Sequence, residues 1–411
     1  MKKALFIGYI WPEPSTTAAG HRMLQLIHTL KQLGYHIIFS TTAVKSEHSC
    51  HLEAIGVESI PIKLNHSSFD VFIENLNPTF VIFDRFMMEE QFGWRVAKFA
   101  PQAIRILNTE DLHSLRKSRE TCHKKDENHN LEIWKNHPMT LREVTSIYRC
   151  DLTLLVSSYE LEILQNVLNI PKNLLLLLPF MLEPISHMEI EQWPTFAERN
   201  DFICVGNGMH APNVDSIMAL KQIIWPIIKK KLPKAKLQIY GAYLPQKVLE
   251  MQNTKEGFYV EGWIEDLEVV MQHARVNLAP LQFGAGIKGK LADAMCNGTP
   301  NVTTSIGAEG MAGNLPWNGS VSNTWEGFAE AAVGLHQNKE KWKKAQMNGI
   351  AIINSLYNQN IMKKNLMEHL AILQKDIEQH RIQNFIGKLL QQQTLSSTKY
   401  MSKWIEAKNK K

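Results

Sequence analysis

The chain has 411 residues, 44% hydrophobic and 21% charged, so it should fold as a soluble globular protein too long for one ordinary core, with two or three domains. Its net charge of +5 suits anionic substrates or a weak membrane-surface preference, and is too small to argue for nucleic acid.

Five cysteines, Cys50, Cys122, Cys150, Cys204 and Cys296, are widely spaced without a C-x-x-C pair, which points to a reducing compartment. Met1 to Ile10 has the charged start and short apolar run of a secretion signal. That run meets Trp11, Pro12 and Pro14 without a small-residue cleavage site, so a buried first strand is the better reading. No apolar stretch approaches the roughly 18 residues of a membrane span, and any membrane contact is expected to be peripheral.

In chain order, short β-branched or aromatic runs alternate with helical patterns, the signature of a parallel sheet with crossover helices. Strands are expected at 4–8, 35–41, 57–62, 80–84 and 104–108, with a helix over 19–33. Ligands gather at the carboxyl ends of such strands. The loop Tyr9 to Thr17 therefore leads to two candidates, Gly20, which would let a ligand approach the helix start, and Arg22, which would add a cation. After Asn108 the run Thr109 to Arg119 gathers acid, imidazole and guanidinium groups at a strand end, where catalysis is commonly placed. Taken alone, the same run also reads as a solvated helix start capped by Glu110 and Asp111.

Residues 121–136 are dense in charge and histidine and poor in apolar side chains, and are expected to form a mobile insertion. Its His123 and His129, with His137, lack metal-site spacing. Alternation resumes with a strand at 152–156, a helix from Ser158 and an apolar run at 174–178; residues 182–200, with Pro184 and Pro194, look like a linker. A second alternating unit starts at Phe202 and carries its own glycine loop, Gly206 to Asn213. A helix at 214–231, strands at 236–240 and 257–261, a short helix from Glu265 and a strand at 276–279 follow. Beyond Met311 the chain is mainly helical, and Ile382, Phe385, Ile386, Leu389 and Leu390 recur at helical spacing in a Gln- and Lys-rich end. That stripe could dock on the first domain, join another subunit or lie on a membrane.

The stretch Gly284 to Met311 is the most informative. Gly284 and Gly286 permit a tight turn, and a helical stripe follows through Ile287, Leu291, Ala294 and Met295. Gly298 ends that helix, Pro300 cannot continue it, Val302 and its neighbouring threonines suit a short strand, and Gly307 and Gly310 suit a second flexible loop. Lys288 and Lys290 fall in the first helical turn, where the macrodipole disfavours cations by up to about 1 kcal/mol each. A polyanion such as a diphosphate would offset them, because a glycine loop entering a helix already offers N–H groups to an anion. Asp293, one turn further on, could accept hydrogen bonds from ribose hydroxyls. A buried β-loop-α unit whose lysines point into solvent fits the same residues.

This stretch closely resembles the signature of the retaining glycosyltransferases of family four (glycosyl transferases group 1), which have the two-domain GT-B fold. Further matches occur in the same order: the Pro-rich loop with Gly20, the run from Asp111 through His113 to Arg116, Ser157 with Glu160, and Val205 to Asn213. The resemblance covers most of residues 1–375. It implies an α/β protein of two Rossmann-like, doubly wound parallel-sheet domains facing a central cleft, with a helical C-terminal segment. The implied boundaries are 1–190 for an acceptor domain, 191–350 for a nucleotide-sugar domain, 351–375 for a helix returning to the first domain and 376–411 for a basic amphipathic tail.

The implied activity moves a sugar from a nucleotide-diphosphate donor to a glycan, lipid-linked or small-molecule acceptor with retention of configuration. Lys288 and Lys290 would neutralise the diphosphate, Asp293 would hold ribose and Glu309 would lie near the sugar-nucleotide side of the cleft. Gly20, with Arg22 beside it and Gly286 opposite, would face the diphosphate. Asp111 and His113 would orient acceptor or sugar at the catalytic centre. No cofactor is implied beyond the donor substrate, and the lack of a D-x-D pair at a strand end implies no metal. The setting implied is polysaccharide biosynthesis in the cytoplasm, with the tail peripheral at the inner face of the membrane.

Some residues depart from the pattern. Asp293 replaces the usual glutamate, Cys296 and Asn301 replace small or apolar residues, and Ala285, eight residues before Asp293, stands where many relatives carry another glutamate. These departures keep open a second class, a non-catalytic GT-B module that binds nucleotide sugar or glycan. A third, a sugar-nucleotide epimerase on a similar scaffold, is opposed by the pair Lys288 and Lys290.

Overall fold

The computed structural model describes residues 2–392 and 394–409. Residue 1 of the expected first domain and residues 393, 410 and 411 of the expected tail lie outside the described residues. Seven strands form the first sheet: β1 (Lys3–Gly8), β2 (His36–Thr41), β3 (Glu58–Ser59), β4 (Phe80–Asp84), β5 (Ile104–Asn108), β6 (Leu152–Leu155) and β7 (Leu175–Leu177). They run parallel in the order β3-β2-β1-β4-β5-β6-β7. Six form the second: β8 (Asn200–Val205), β9 (Leu237–Tyr240), β10 (Phe258–Gly262), β11 (Ala274–Ala279), β12 (Asn301–Thr303) and β13 (Gly319–Val321), parallel in the order β10-β9-β8-β11-β12-β13.

The sequence of the central strands explains this class. Ala4 to Ile7 and Phe80 to Phe83 are continuous apolar runs, all buried, because helices cover both faces of a parallel sheet. Alternate residues serve opposite faces: Leu5, Ile7, Val81 and Phe83 pack with Phe92 and Val96, whereas Phe6, Phe39 and Ile82 pack with Leu26 and Leu30. In each sheet the first strand lies inside and later strands add on both sides of it. A crevice therefore opens at the carboxyl ends of β1 and β8.

The chain crosses between the domains twice, and the two crossings lie side by side. Leu182 N–H donates to Tyr357 O and Gln359 N–H donates to Leu182 O, both at 2.8 Å. After the second crossing the helix Gln359–Lys375 lays Met362, Leu366, Leu370 and Leu373 against the first-domain face that holds Leu26 and Leu30. The tail then continues along that domain. Arg381 donates to both oxygens of Asp151 and to the carbonyls of Pro101 and Ala103, and Asn384 donates to Tyr148 O. Of the apolar stripe, Leu390 packs on the core of the first domain, whereas Ile382, Phe385, Ile386 and Leu389 face solvent.

Several elements differ from the expectation, each for a local reason. The segment expected to be a mobile insertion is built: the helix His113–Lys124 runs into it and a second helix, Leu131–Lys135, closes it. Trp134 is fully buried and its Nε1–H donates to Ser114 Oγ at 2.8 Å, so one indole fixes a segment whose average composition is polar. The helix expected at 214–231 changes register at Leu220–Ile224, where Trp225 N–H reaches back five residues to Leu220 O. The irregular turn directly precedes Pro226, which has no N–H to continue the regular ladder. Gly307 lies in the short helix Ser305–Ala308 capped by Thr304 instead of in a flexible loop. Arg199, at the end of the expected linker, is fully buried and bonded to Thr299 Oγ1 and Asn297 O, so the residue before β8 is packed on the second domain.

Among the described residues no helix is long and apolar enough to cross a membrane. Because Leu366 is buried where the returning helix meets the first sheet layer, Leu366→Ala should destabilise the protein by about 2–5 kcal/mol, read as a fall in the denaturant midpoint with little change in slope.

Candidate active site

The carboxyl ends of the two sheets enclose a cavity of about 340 Å³, within the size range of small-ligand sites. From the first domain it is lined by Pro14 to Ala19 after β1, Arg85 after β4, and Glu110, Asp111 and His113 after β5. From the second come Val205 to Asn207 and Asn213 after β8, Trp263 and Ile264 after β10, and Leu281 to Asp293 in part after β11. The lysine pair and the acid-imidazole pair thus face one space from opposite walls.

Gly284 and Gly286 have φ of 153° and 64°, and the turn they make ends at Lys288, which precedes the helix Gly289–Cys296. Lys288 Nζ donates to Gly286 O at 2.7 Å, and Lys290 Nζ donates to Asn213 Oδ1 at 2.6 Å. Each ammonium has three donors, so both retain hydrogen-bonding capacity toward the cavity. Burial lowers both amines; for Lys288 the result is about 8, with Glu309 opposing the fall. Asp293 is pushed up to about 7 by burial and by the charge of Glu268. Asn213 was not singled out from sequence, although it ends a recognised loop. It holds that loop by donating to Asn207 O at 2.9 Å while its carbonyl aims Lys290.

On the facing wall Asp111 lies 2.8 Å from His113 Nδ1 and 2.9 Å from Arg116 Nε. Burial opposes its ionisation, but Arg116 and then His113 overcome it and hold the carboxyl well below the usual carboxylate range. Arg116, the last residue of that motif, is therefore part of the site. Strands β4 and β5 pair Asp84 with Asn108, so Arg85 and Glu110 leave the sheet close together. Both have positive φ, 71° and 62°, conformations unusual for residues with a Cβ and frequent at functional sites. Glu110 is pushed up to about 7 by burial, against the pull of Arg22 and with the push of Asp84.

The two walls are joined directly. Glu160, fully buried, accepts from Leu112 N–H at 2.9 Å and from Gly286 N–H at 2.8 Å through the same oxygen. Burial and the nearby charge of Asp111 push its carboxyl up to about 8. Gly286 sits so close to the first domain that a Cβ there would fall 2.8 Å from Asp111 Cβ. Arg119 adds a second tie through Gly284 O at 2.8 Å.

Three expected positions lie outside the cavity lining. Gly20 does not line the cavity: its N–H donates to Thr17 Oγ1 at 3.0 Å, and a Cβ would strike the Glu13 backbone, so it is needed for loop packing. Ala18 and Ala19, the first residues of the helix Ala18–Gln32, line the cavity in its place. Arg22 is fully buried beneath the site, donating to Asn108 Oδ1 at 3.0 Å and Pro179 O at 2.9 Å, and faces no ligand space. Glu309 also leaves the cavity wall, because Arg119 binds both its oxygens at 2.8 Å. Among the described residues no group of three or more His, Cys, Asp or Glu side chains converges as metal ligands.

Comparison with known proteins now bears on this geometry. Residues 199–338 match the family model for glycosyl transferases group 1. No curated protein matches the chain in sequence. Among solved structures, sucrose-phosphate synthase from Thermosynechococcus elongatus aligns with a TM-score of 0.66 at 14% identity, covering 91% of this chain and 99% of that one. HepE from Anabaena, solved with UDP and glucose, aligns at 0.65 with 13% identity over 90% of this chain and 100% of its own. WaaG, a glycosyltransferase of lipopolysaccharide biosynthesis, aligns at 0.62 with 12% identity over 89% and 99% of the two chains. The shared architecture is the GT-B fold.

The buried carboxyl of Glu160 yields a signed prediction for folding stability. Its folded pKa of about 8 exceeds the unfolded value of 4.5, so the folded state holds the extra proton between those values and loses stability as pH rises through them. Glu160→Gln keeps a carbonyl acceptor for both N–H groups and cannot ionise. The variant should lose less stability than the parent between pH 5 and 8, measured as thermal midpoints.

Proposed function

We propose that the protein transfers a sugar from a nucleotide-diphosphate donor to a carbohydrate or lipid-linked acceptor, with retention and without a metal, in polysaccharide biosynthesis at the cytoplasmic side of a membrane. The observation that carries the reading is the placement of Lys288 and Lys290 in the interdomain cavity, with Asp293 one turn behind them and Asp111 and His113 opposite. The group 1 match over the second domain supports it. HepE, with UDP and UDP-glucose in its solved complexes, supports a nucleotide-sugar ligand.

Cleavage of the bond between the anomeric carbon and the diphosphate oxygen leaves negative charge on the departing diphosphate. Two ammonium groups and the start of the helix Gly289–Cys296 stand where that charge develops, and preorganised donors in a water-poor site stabilise it most strongly. The acceptor oxygen forms the new bond from the same face, and its proton passes to the leaving phosphate. Asp111, kept ionised beside Arg116 and His113, orients hydroxyls of sugar or acceptor. Asp293 accepts from the ribose when it is ionised.

Lys288→Ala and Lys290→Ala should each weaken binding of a nucleoside diphosphate by about tenfold or more while leaving nucleoside binding within about twofold, by isothermal titration. Because Lys288 loses its proton near pH 8, diphosphate affinity should fall above that pH in the parent and fall less in Lys288→Arg. Equal losses for nucleoside and diphosphate would remove the phosphate-cradle argument.

One observation favours a second reading, a module that binds nucleotide sugar without turnover: Ala285, buried in the cavity wall, supplies no carboxylate to a bound sugar. Transfer or hydrolysis by the folded protein with a panel of nucleotide sugars separates the two. The tail belongs to the same proposal. Its last helix exposes Tyr400, Met401, Trp404 and Ile405 in a Lys-rich segment, a pattern suited to an anionic membrane surface. Full-length protein should float with anionic liposomes and a chain ending at Gln392 should not; flotation of neither removes the membrane element.

A further inference from the structure

A second cavity, also about 340 Å³, lies beside the first at the seam between the domains. Arg119 and the ring contact of His123 with Phe283, centroids 4.9 Å apart, stand between the two spaces. Its outer wall is the 122–131 segment, whose fold depends on the buried Trp134 and on Asn130, which caps the helix Leu131–Lys135. Gln282 and Ile306 of the second domain and Tyr159 of the first complete it. No step of the proposed transfer uses this space.

We infer that this second cavity binds a neutral saccharide unit of the acceptor, held by Glu127, Asn128 and Gln282 against the faces of Tyr159 and Ile306. The inference rests on the transferase reading only for the word acceptor; the cavity as a saccharide site stands on its own lining.

The lining selects the ligand class by its charge. Arg119 is spent on both oxygens of Glu309 and on Gly284 O. Burial and the adjacent Arg119 push His129 down to about 4, so its ring is neutral at physiological pH, and it pairs with Ser118 Oγ at 3.0 Å. His123 faces Asp215 at 3.2 Å. Glu127 adds a carboxylate, so this space offers an anion no uncommitted cation, the reverse of the lysine-lined donor cavity. Gln282 Nε2 donates to Asp215 Oδ2 at 2.8 Å, so its carbonyl and the Glu127 carboxylate supply acceptors and the Asn128 amide supplies donors for a row of hydroxyls. The Arg119 guanidinium lies over one face of the Tyr159 ring, 5.4 Å from its centroid, and the rest of that ring with Leu131 and Ile306 gives apolar surface for the C–H face of a sugar ring.

The test uses full-length protein with a nucleoside diphosphate present to fill the donor cavity. Short neutral hexose and N-acetylhexosamine oligosaccharides are offered on a glycan array, and the best binder is then titrated by calorimetry. Asn128→Trp, which fills the cavity, and Gln282→Ala, which removes one amide, should each weaken that glycan about tenfold or more with nucleoside diphosphate affinity within about twofold. Absence of any neutral glycan binding overturns the inference. So does glycan binding that neither substitution weakens, or binding confined to sulfated or acidic glycans. Neutral-glycan binding lost in both variants, in a protein that transfers no sugar, supports the cavity and counts against the transferase reading alone.

Discussion

A single carboxyl oxygen sets the width of the interdomain cavity. Glu160 Oε1 receives the N–H of Leu112, which stands between Asp111 and His113, and the N–H of Gly286, two residues before Lys288. Because the two donors belong to different domains, their shared acceptor fixes how far the acid-imidazole wall stands from the ammonium wall. The contact requires a residue without Cβ at 286, since the first-domain backbone already occupies that volume. Arg119 holds the same turn from its other end through Gly284 O and is itself braced by Glu309. The glycine turn is thus shaped as much by the opposite domain as by its own sequence.

Around that constraint the ionisable groups divide into two kinds. Asp111, beside Arg116, stays charged despite burial, whereas Glu110 and Asp293 sit near neutrality and Lys288 only slightly above it. Burial is the common cause of the last three shifts. A low-dielectric space lined by buried cations strengthens any charge interaction made inside it.

Much of this arrangement was legible in the residues, because its signals are local. Continuous apolar runs gave β1 and β4, and two glycines with two lysines gave a turn entering a helix, whose φ values and N-terminal position agree. The errors arise where a distant partner decides. Glu309 looked free for a ligand until Arg119, 190 residues away, bound it, and Arg22 is withdrawn by Asn108 and Pro179. Glu160 lay inside a quoted motif, yet its link to Gly286 spans 126 residues and no spacing rule reports it. Residues 121–136 were misjudged by composition, which averages over the one indole that orders them. The edge strand β13, Gly319–Val321, was missed because three residues beginning with glycine carry little strand signal.

The adjacent crossings at Leu182 and Asn358 have a mechanical consequence. Two covalent connections lying together leave the lobes one common pivot, so relative rotation displaces atoms in proportion to their distance from it. Residues near that axis, such as Leu182 in the cavity's rear wall, keep their neighbours through a swing. Any such rotation acts on the two contacts that bridge the lobes, Glu160 with Gly286 and Glu13 with Tyr243.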